Sequence, residues 1–182
     1  MMNIFIQLLT YFRIIIAPII FLCITYFHAY EIALIFFILA SVSDFLDGFL
    51  ARKYNFESTI GKVLDPVADK ILTTFLFISL TLSLNSFFIG FAGSIILGRE
   101  FLVGGLREYN SVSKNSDATK VTFLAKVKTT TQFVTFTGFL LGLLLNSSFI
   151  LFLSNILLLL SVIITLQTGL SYLIATFKKL RE

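Results

Sequence analysis

The chain has 182 residues, of which 57% are hydrophobic and 13% are charged, with a formal net charge of +4. Soluble domains average about 25% charged residues, so this composition excludes an ordinary soluble protein and indicates an integral membrane protein. One cysteine and one histidine leave no parts for an internal disulfide or a zinc site built from Cys and His ligands, and we expect no nucleic-acid partner.

The apolar residues divide the chain into membrane-length stretches. Residues 1–9 are short and apolar on one side, and they predict either an interfacial segment or simply the entry to the first span. Six stretches near the ~20 residues that cross a bilayer follow, at 10–27, 32–50, 64–84, 87–106, 121–145 and 149–176. The polar segment 110–119 has the composition of a solvated loop. The prediction is an all-α, six-transmembrane-helix bundle forming one membrane domain over 1–182.

Two local features of these stretches lead to further expectations. Pro66 predicts a break in the third helix, because proline lacks a backbone donor and disfavours helical geometry at the preceding residue. Gly138 and Gly142 form a small face in the fifth helix, which serves either an intramolecular packing seam or a dimer contact.

The basic residues predict the orientation. The connections at 28–31, 85–86 and 146–148 contain no Lys or Arg, and the 14 basic residues lie on or nearer the other side. By the positive-inside rule, both termini and the two longer connections face the cytoplasm. We expect an integral plasma (inner) membrane protein whose polar site opens to the cytoplasm.

The stretch 43–70 concentrates acidic residues beside long apolar runs. Its aspartates are Asp44, Asp47, Asp65 and Asp69, spaced so that each pair shares one face of a helix. Carboxylates near a bilayer are costly unless a cation lies among them. Carboxylate oxygens are the ligands that Mg²⁺ and Mn²⁺ prefer, and two such ions would balance four negative charges.

The same stretch reads Asp-x2-Asp-Gly-x2-Ala-Arg-x8-Gly-x3-Asp-x3-Asp. This pattern resembles, at every defined position, the signature of the CDP-alcohol phosphatidyltransferases, membrane enzymes that move a phosphatidyl group from a CDP-linked lipid to an alcohol. The segments LLTYFRIIIAPII, GREFLVGGLREY and AKVKTTTQ resemble the branch of that family that uses sn-glycerol 3-phosphate. The resemblance covers nearly the whole chain.

The resemblance implies that CDP-diacylglycerol and sn-glycerol 3-phosphate give phosphatidylglycerophosphate and CMP. The four aspartates would bind the two metal ions, and Asp69, the last in the signature, would also act as the general base. The CDP-lipid would contact Asp47, Gly48, Ala51, Arg52 and Gly61. Homodimers are common in the family, and no residue of this chain demonstrates one.

The second substrate carries a phosphate and requires a separate cationic pocket. Arg99 and Arg107 lie eight residues apart on nearly the same helical face, and Lys126 and Lys128 begin the next stretch. We expect Arg107 and Lys126 to be the primary phosphate contacts, with Arg99 and Lys128 in support. Arg13 either serves the same pocket or extends to anionic lipid.

Other functions remain open at this point. A transferase of the same family would use serine, inositol phosphate or phosphatidylglycerol as acceptor. A divalent-cation transporter also places carboxylates in the membrane, although it is expected to carry them at the midplane or on both sides. A non-catalytic scaffold would not need both aspartate pairs.

Overall fold

The computed structural model describes the backbone of residues 2–54, 59–112 and 123–179, which is helical apart from three short turns. The side chains at 2–7, 47, 50–54, 59–63, 112, 123–126 and 179 lie outside the description. The helices are α1 (Met2–Thr25), α2 (Tyr30–Tyr54), α3 (Thr59–Ser83), α4 (Phe87–Val112), α5 (Phe123–Leu144) and α6 (Ser148–Lys179). The prediction of an all-α membrane protein is confirmed.

Four helices meet the length and hydropathy expected of a membrane span within the described residues. Their apolar segments are Leu8–Thr25, Leu64–Ser83, Phe87–Ser111 and Ser148–Lys178. The remaining two helices are more polar, because α2 carries the first aspartate pair and α5 begins with lysines and three consecutive threonines. Many large apolar side chains on the helices are exposed, as lipid-facing surfaces require.

Some predicted boundaries differ from the structure. Residues 2–9 continue directly into the first span as a single helix, α1. The predicted loop at 110–119 begins too early, because α4 extends to Val112, and Asn110 is buried with its amide donating to Thr176 Oγ1 at 2.9 Å. The third helix starts at Thr59, ahead of its apolar stretch.

The predicted break at Pro66 is wrong, because α3 runs without interruption through that residue. A proline removes one backbone hydrogen bond, and membrane helices tolerate this loss where neighbouring bonds and helices hold the backbone. Pro18 lies inside α1 in the same way. Asp65 is therefore oriented by regular helical geometry.

Each of the three short turns has one residue in the left-handed region. These residues are His28, Asn85 and Asn146, with φ of 51°, 45° and 48°. In the last two turns the following amide bonds back to the helix, from Ser86 to the Thr81 carbonyl at 3.1 Å and from Ser147 to the Gly142 carbonyl at 3.0 Å. This is the capping geometry that ends a helix within a few residues.

The chain divides into two compact units. One comprises 1–87 with 143–146, and the other comprises 88–142 with 147–182. In the first unit α1 packs against both α2 and α3. Its core consists of helically spaced stripes, such as Ala17, Ile20 and Ile24 on α1 and Leu72, Leu76 and Leu80 on α3. The single-domain organisation stays a prediction.

In the second unit the small face of α5 lies against α6. A Cβ atom at Gly138 would meet the Ser154 hydroxyl at 2.5 Å, and one at Gly142 would meet Leu151 Cδ2 at 2.6 Å. The structure therefore contains the intramolecular packing seam, in which the two glycines permit the close approach of α5 and α6.

Replacing Gly142 by alanine is expected to destabilise the protein by about 1–3 kcal/mol, the usual cost of overpacking. The added methyl group would also lie 3.2 Å from the Leu151 backbone nitrogen, which cannot move aside as a side chain can. Thermal unfolding of the purified protein in detergent measures the change.

The matched control is Gly105→Ala in α4, where a Cβ would meet nothing within 4 Å. Because alanine has a higher helix propensity than glycine, Gly105→Ala is expected to be as stable as the wild type or more stable. Equal melting temperatures for the two variants would contradict the packing role of Gly142.

Candidate functional site

A charge cluster in the first unit is centred on Arg13 of α1. This side chain has 0% exposure, and within the described part of the chain its guanidinium contacts the signature aspartates Asp44, Asp65 and Asp69. Nη1 donates to Asp44 Oδ1 and to Asp69 Oδ1, each at 2.5 Å, and Nη2 donates to Asp65 Oδ1 at 3.3 Å. One buried cation thus connects carboxylates from two other helices.

The apolar packing stripes position this cluster. Arg13 continues the buried stripe of α1 that includes Ala17, Ile20 and Ile24, at helical spacing. Asp44 follows the buried Ala40 of α2 by one turn in the same way. The contacts that form the core therefore direct these charged side chains towards one point.

Thr10 supplies a further contact one turn before Arg13. Its hydroxyl, on a residue that is 1% exposed, donates to Asp65 Oδ1 at 2.6 Å. Asp65 is thus held by two side chains of α1.

The carboxylates are accessible although the guanidinium is not. The side chains of Asp44, Asp65 and Asp69 are 49%, 38% and 52% exposed. Arg13 therefore contacts the cluster from its buried side, and the carboxylates also face outward. Among the described side chains of the cluster, three carboxylates and one guanidinium leave two negative charges.

The donor chemistry of this cluster fits a hard divalent cation, because all three groups are carboxylates. Within the described residues no three Asp, Glu, His or Cys side chains are grouped closely enough to hold a metal by themselves. The three carboxylates contact the Arg13 guanidinium instead. The Asp47 side chain lies outside the described part.

The remaining predicted CDP-lipid contacts are only partly described. Gly48 lies in α2 and is half-buried. The helix positions of Ala51, Arg52 and Gly61 are described, in α2 and α3, and their side-chain surroundings are not.

A second cluster, of opposite net charge, lies in the second unit. Arg99 is 9% exposed and donates to the Thr168 hydroxyl of α6 at 2.8 Å. Its side chain lies across Gly169, where a Cβ would meet Arg99 Cγ at 2.9 Å. This arginine is thus fixed in position by its partners on α6.

Tyr172 joins the two predicted arginines. Its ring centroid lies 5.7 Å from Cζ of Arg99 and 5.5 Å from Cζ of Arg107, within the range of cation–π contacts. Arg107 also donates to the tyrosine hydroxyl at 3.4 Å and is itself exposed. Of the two arginines, Arg107 is the one accessible to a ligand.

Glu100 pairs with the predicted lysine of α5. Its Oε1 accepts a hydrogen bond from Lys128 Nζ and one from Arg99 Nη1 at 3.3 Å. The three described cations and this carboxylate leave two positive charges. Lys126, predicted as a primary contact, has no described side chain.

Sequence reasoning missed several members of both clusters. Thr10, Thr168 and Tyr172 were not predicted, and Arg13 was placed with the phosphate-binding residues or with lipid, whereas it lies among the aspartates. The available signal was helical spacing, because Thr168 and Tyr172 share a buried face of α6 with Thr165 and Thr176.

The fold and these clusters define a polytopic helical membrane protein with one acidic and one basic cluster of charged side chains. The model of the CDP-alcohol phosphatidyltransferase family matches residues 5–167. The chain belongs to this family, so the predicted family and its reaction class, phosphatidyl transfer, are confirmed.

Relatives with one shared name match most of the chain. A CDP-diacylglycerol–glycerol-3-phosphate 3-phosphatidyltransferase of Rickettsia felis is 40% identical over 169 residues, which are 90% of each chain. The protein of the same name from Rickettsia typhi is 39% identical over 90% of this chain and 92% of its own. That of Salmonella choleraesuis is 33% identical over 70% of this chain and 71% of its own.

Proposed function

We propose that this protein transfers the phosphatidyl group of CDP-diacylglycerol to sn-glycerol 3-phosphate, giving phosphatidylglycerophosphate and CMP. The convergence of three signature carboxylates at Arg13 carries the proposal, because it gathers the residues that the family signature associates with the nucleotide-linked lipid. The names of the relatives support the acceptor.

In this reaction the acceptor hydroxyl attacks the phosphorus that bears the diacylglycerol. The phosphoanhydride bond breaks, and CMP leaves with the bonding electrons. Divalent cations, Mg²⁺ or Mn²⁺ and most simply two, would neutralise the diphosphate and polarise the phosphorus when bound by Asp44, Asp47, Asp65 and Asp69.

Asp69 is proposed to accept the proton of the attacking hydroxyl. Its carboxylate is about half exposed, and Arg13 donates to its Oδ1. This leaves it accessible to substrate while its orientation is fixed. Gly48, Ala51, Arg52 and Gly61 remain the proposed contacts of the cytidine diphosphate part, together with Asp47.

The basic cluster of the second unit is proposed to bind the acceptor's phosphate. Its two net positive charges match a phosphate monoester, which carries about −1.5 to −2 at neutral pH. Arg107 makes the primary contact among the described residues because it is exposed, and Lys126 is proposed beside it. Arg99 and Lys128 are buried and act in support.

We also propose that the protein lies in the plasma (inner) membrane with both termini and both clusters on the cytoplasmic side. The short turns around His28, Asn85 and Asn146 contain no basic residue, which the positive-inside rule associates with the outer face. A water-soluble acceptor would then reach the site from the cytoplasm. The homodimer stays a prediction.

An acceptor panel tests the function. Purified protein given CDP-diacylglycerol is expected to release CMP with sn-glycerol 3-phosphate and not with serine, inositol phosphate or phosphatidylglycerol, with the lipid product identified by mass spectrometry. EDTA should abolish the reaction and Mg²⁺ or Mn²⁺ should restore it. Turnover with serine alone would overturn the acceptor, and turnover in EDTA would overturn the metal requirement.

Asp69→Asn is expected to remain membrane-inserted but to lose about 10²–10⁴-fold in turnover, the range that general-base catalysis contributes. CMP release per amount of inserted protein measures the effect. Glu31→Gln, in the first turn of α2, is the control and should retain full activity. Retention of more than a tenth of turnover by Asp69→Asn would exclude it as the base.

Arg107→Ala is expected to raise the KM for sn-glycerol 3-phosphate by about 10–100-fold, since a hydrogen bond to a charged group contributes about 1.5–3 kcal/mol. The KM for CDP-diacylglycerol should not change. Lys178→Ala, an exposed residue near the end of α6, is the control and should alter neither constant. A rise confined to the CDP-lipid constant would place the pocket elsewhere.

A further inference from the structure

The position of Arg13 relative to the carboxylates indicates a role that the family signature does not include. The signature begins at Asp44, and Arg13 lies 31 residues before it, on a different helix. Its side chain is fully buried, whereas the three carboxylates that it contacts are between 38% and 52% exposed. The guanidinium and the approach for a ligand are thus on opposite sides of the carboxylates.

The contacts leave capacity for a metal. The described contacts of Arg13 and Thr10 with Asp44, Asp65 and Asp69 all go to Oδ1 of the carboxylate. Within the described part of the chain, the second oxygens of Asp44, Asp65 and Asp69 accept no hydrogen bond. With the guanidinium in place, the described cluster carries two negative charges, which matches one divalent cation.

We propose that Arg13 is a positioning residue for the metal site: it holds Asp44, Asp65 and Asp69 from the buried side so that their remaining oxygens can bind a divalent cation from the exposed side. Thr10 assists by holding Asp65. This inference rests on the divalent-metal requirement proposed above.

A guanidinium suits this role for geometric reasons. Its planar fork of five N–H donors can contact several carboxylates at fixed angles, whereas a lysine ammonium is a point charge on a flexible stem. Partners that orient metal ligands from behind typically change metal affinity by 10–100-fold when they are removed.

Two alternative roles predict different results. If Arg13 competed with the metal for the same oxygens, its removal would strengthen metal binding. If it served folding alone, its removal would lower the melting temperature without changing metal affinity. The direction of the affinity change therefore separates the three roles.

The test is Mn²⁺ binding to the purified full-length protein in detergent, measured by electron paramagnetic resonance of free Mn²⁺ after EDTA treatment and desalting. Arg13→Gln is expected to weaken binding by about 10–100-fold, and Arg13→Lys by less, because the charge is kept and the fork is lost. Unchanged or tighter binding in Arg13→Gln would overturn the proposal.

Thr10→Val provides a milder variant in case the arginine variants do not fold. It removes the hydroxyl bond to Asp65 and preserves side-chain shape, so it should weaken Mn²⁺ binding by a few-fold at an unchanged unfolding profile in EDTA. Binding equal to wild type in a folded Thr10→Val would also count against the proposal. Lys178→Ala is the matched control for loss of a cationic side chain and should bind as wild type does.

The metal requirement and the role of Arg13 can be tested separately. If wild-type protein binds no Mn²⁺, the proposed metal requirement fails. If wild-type protein binds Mn²⁺ and both Arg13→Gln and Thr10→Val bind it equally well, only the role of Arg13 fails.

Discussion

The structure of the first unit depends on the pairing of a fully buried guanidinium with carboxylates of neighbouring helices. A charged side chain within a membrane span costs about 2.5–3.5 kcal/mol on insertion scales, and it is stable there only with partners. Among the described side chains, Arg13 contacts Asp44 of α2 and Asp65 and Asp69 of α3. Because α1 packs against both helices, one side chain fixes the register of all three.

In the second unit a buried charged side chain also has polar partners on a neighbouring helix, and here the cluster around it is net positive. Hydrogen bonds join α4 to α6: Arg99 donates to Thr168, and further along both helices Asn110 donates to Thr176. Because residue numbers increase in the same direction on both helices, α4 and α6 lie side by side and parallel. Arg99 is enclosed by its partners, whereas Arg107 is exposed beside the same tyrosine. Each unit thus combines a buried cationic side chain with exposed charged side chains beside it.

The sequence predicted features that depend on neighbours along one helix. These features all lie within short segments of the sequence. They are the spacing of Asp44 with Asp47 and of Asp65 with Asp69, the apolar stretches, and the family signature. Arg13 was misplaced because its partners lie 31 to 56 residues away, and pairing across helices cannot be read from local spacing. The prediction of a helix break at Pro66 was wrong for a related reason. A helix that packs against neighbouring helices tolerates the loss of one backbone hydrogen bond.

The buried charge of Arg13 also bears on how α2 and α3 pack beside each other. Four aspartates in one short stretch would repel one another in a medium of low dielectric constant, and that repulsion would separate α2 from α3. The guanidinium of Arg13 offsets part of this repulsion, because it contacts carboxylates of both helices. The cation lies on the buried side, where it leaves the exposed side of the carboxylates accessible.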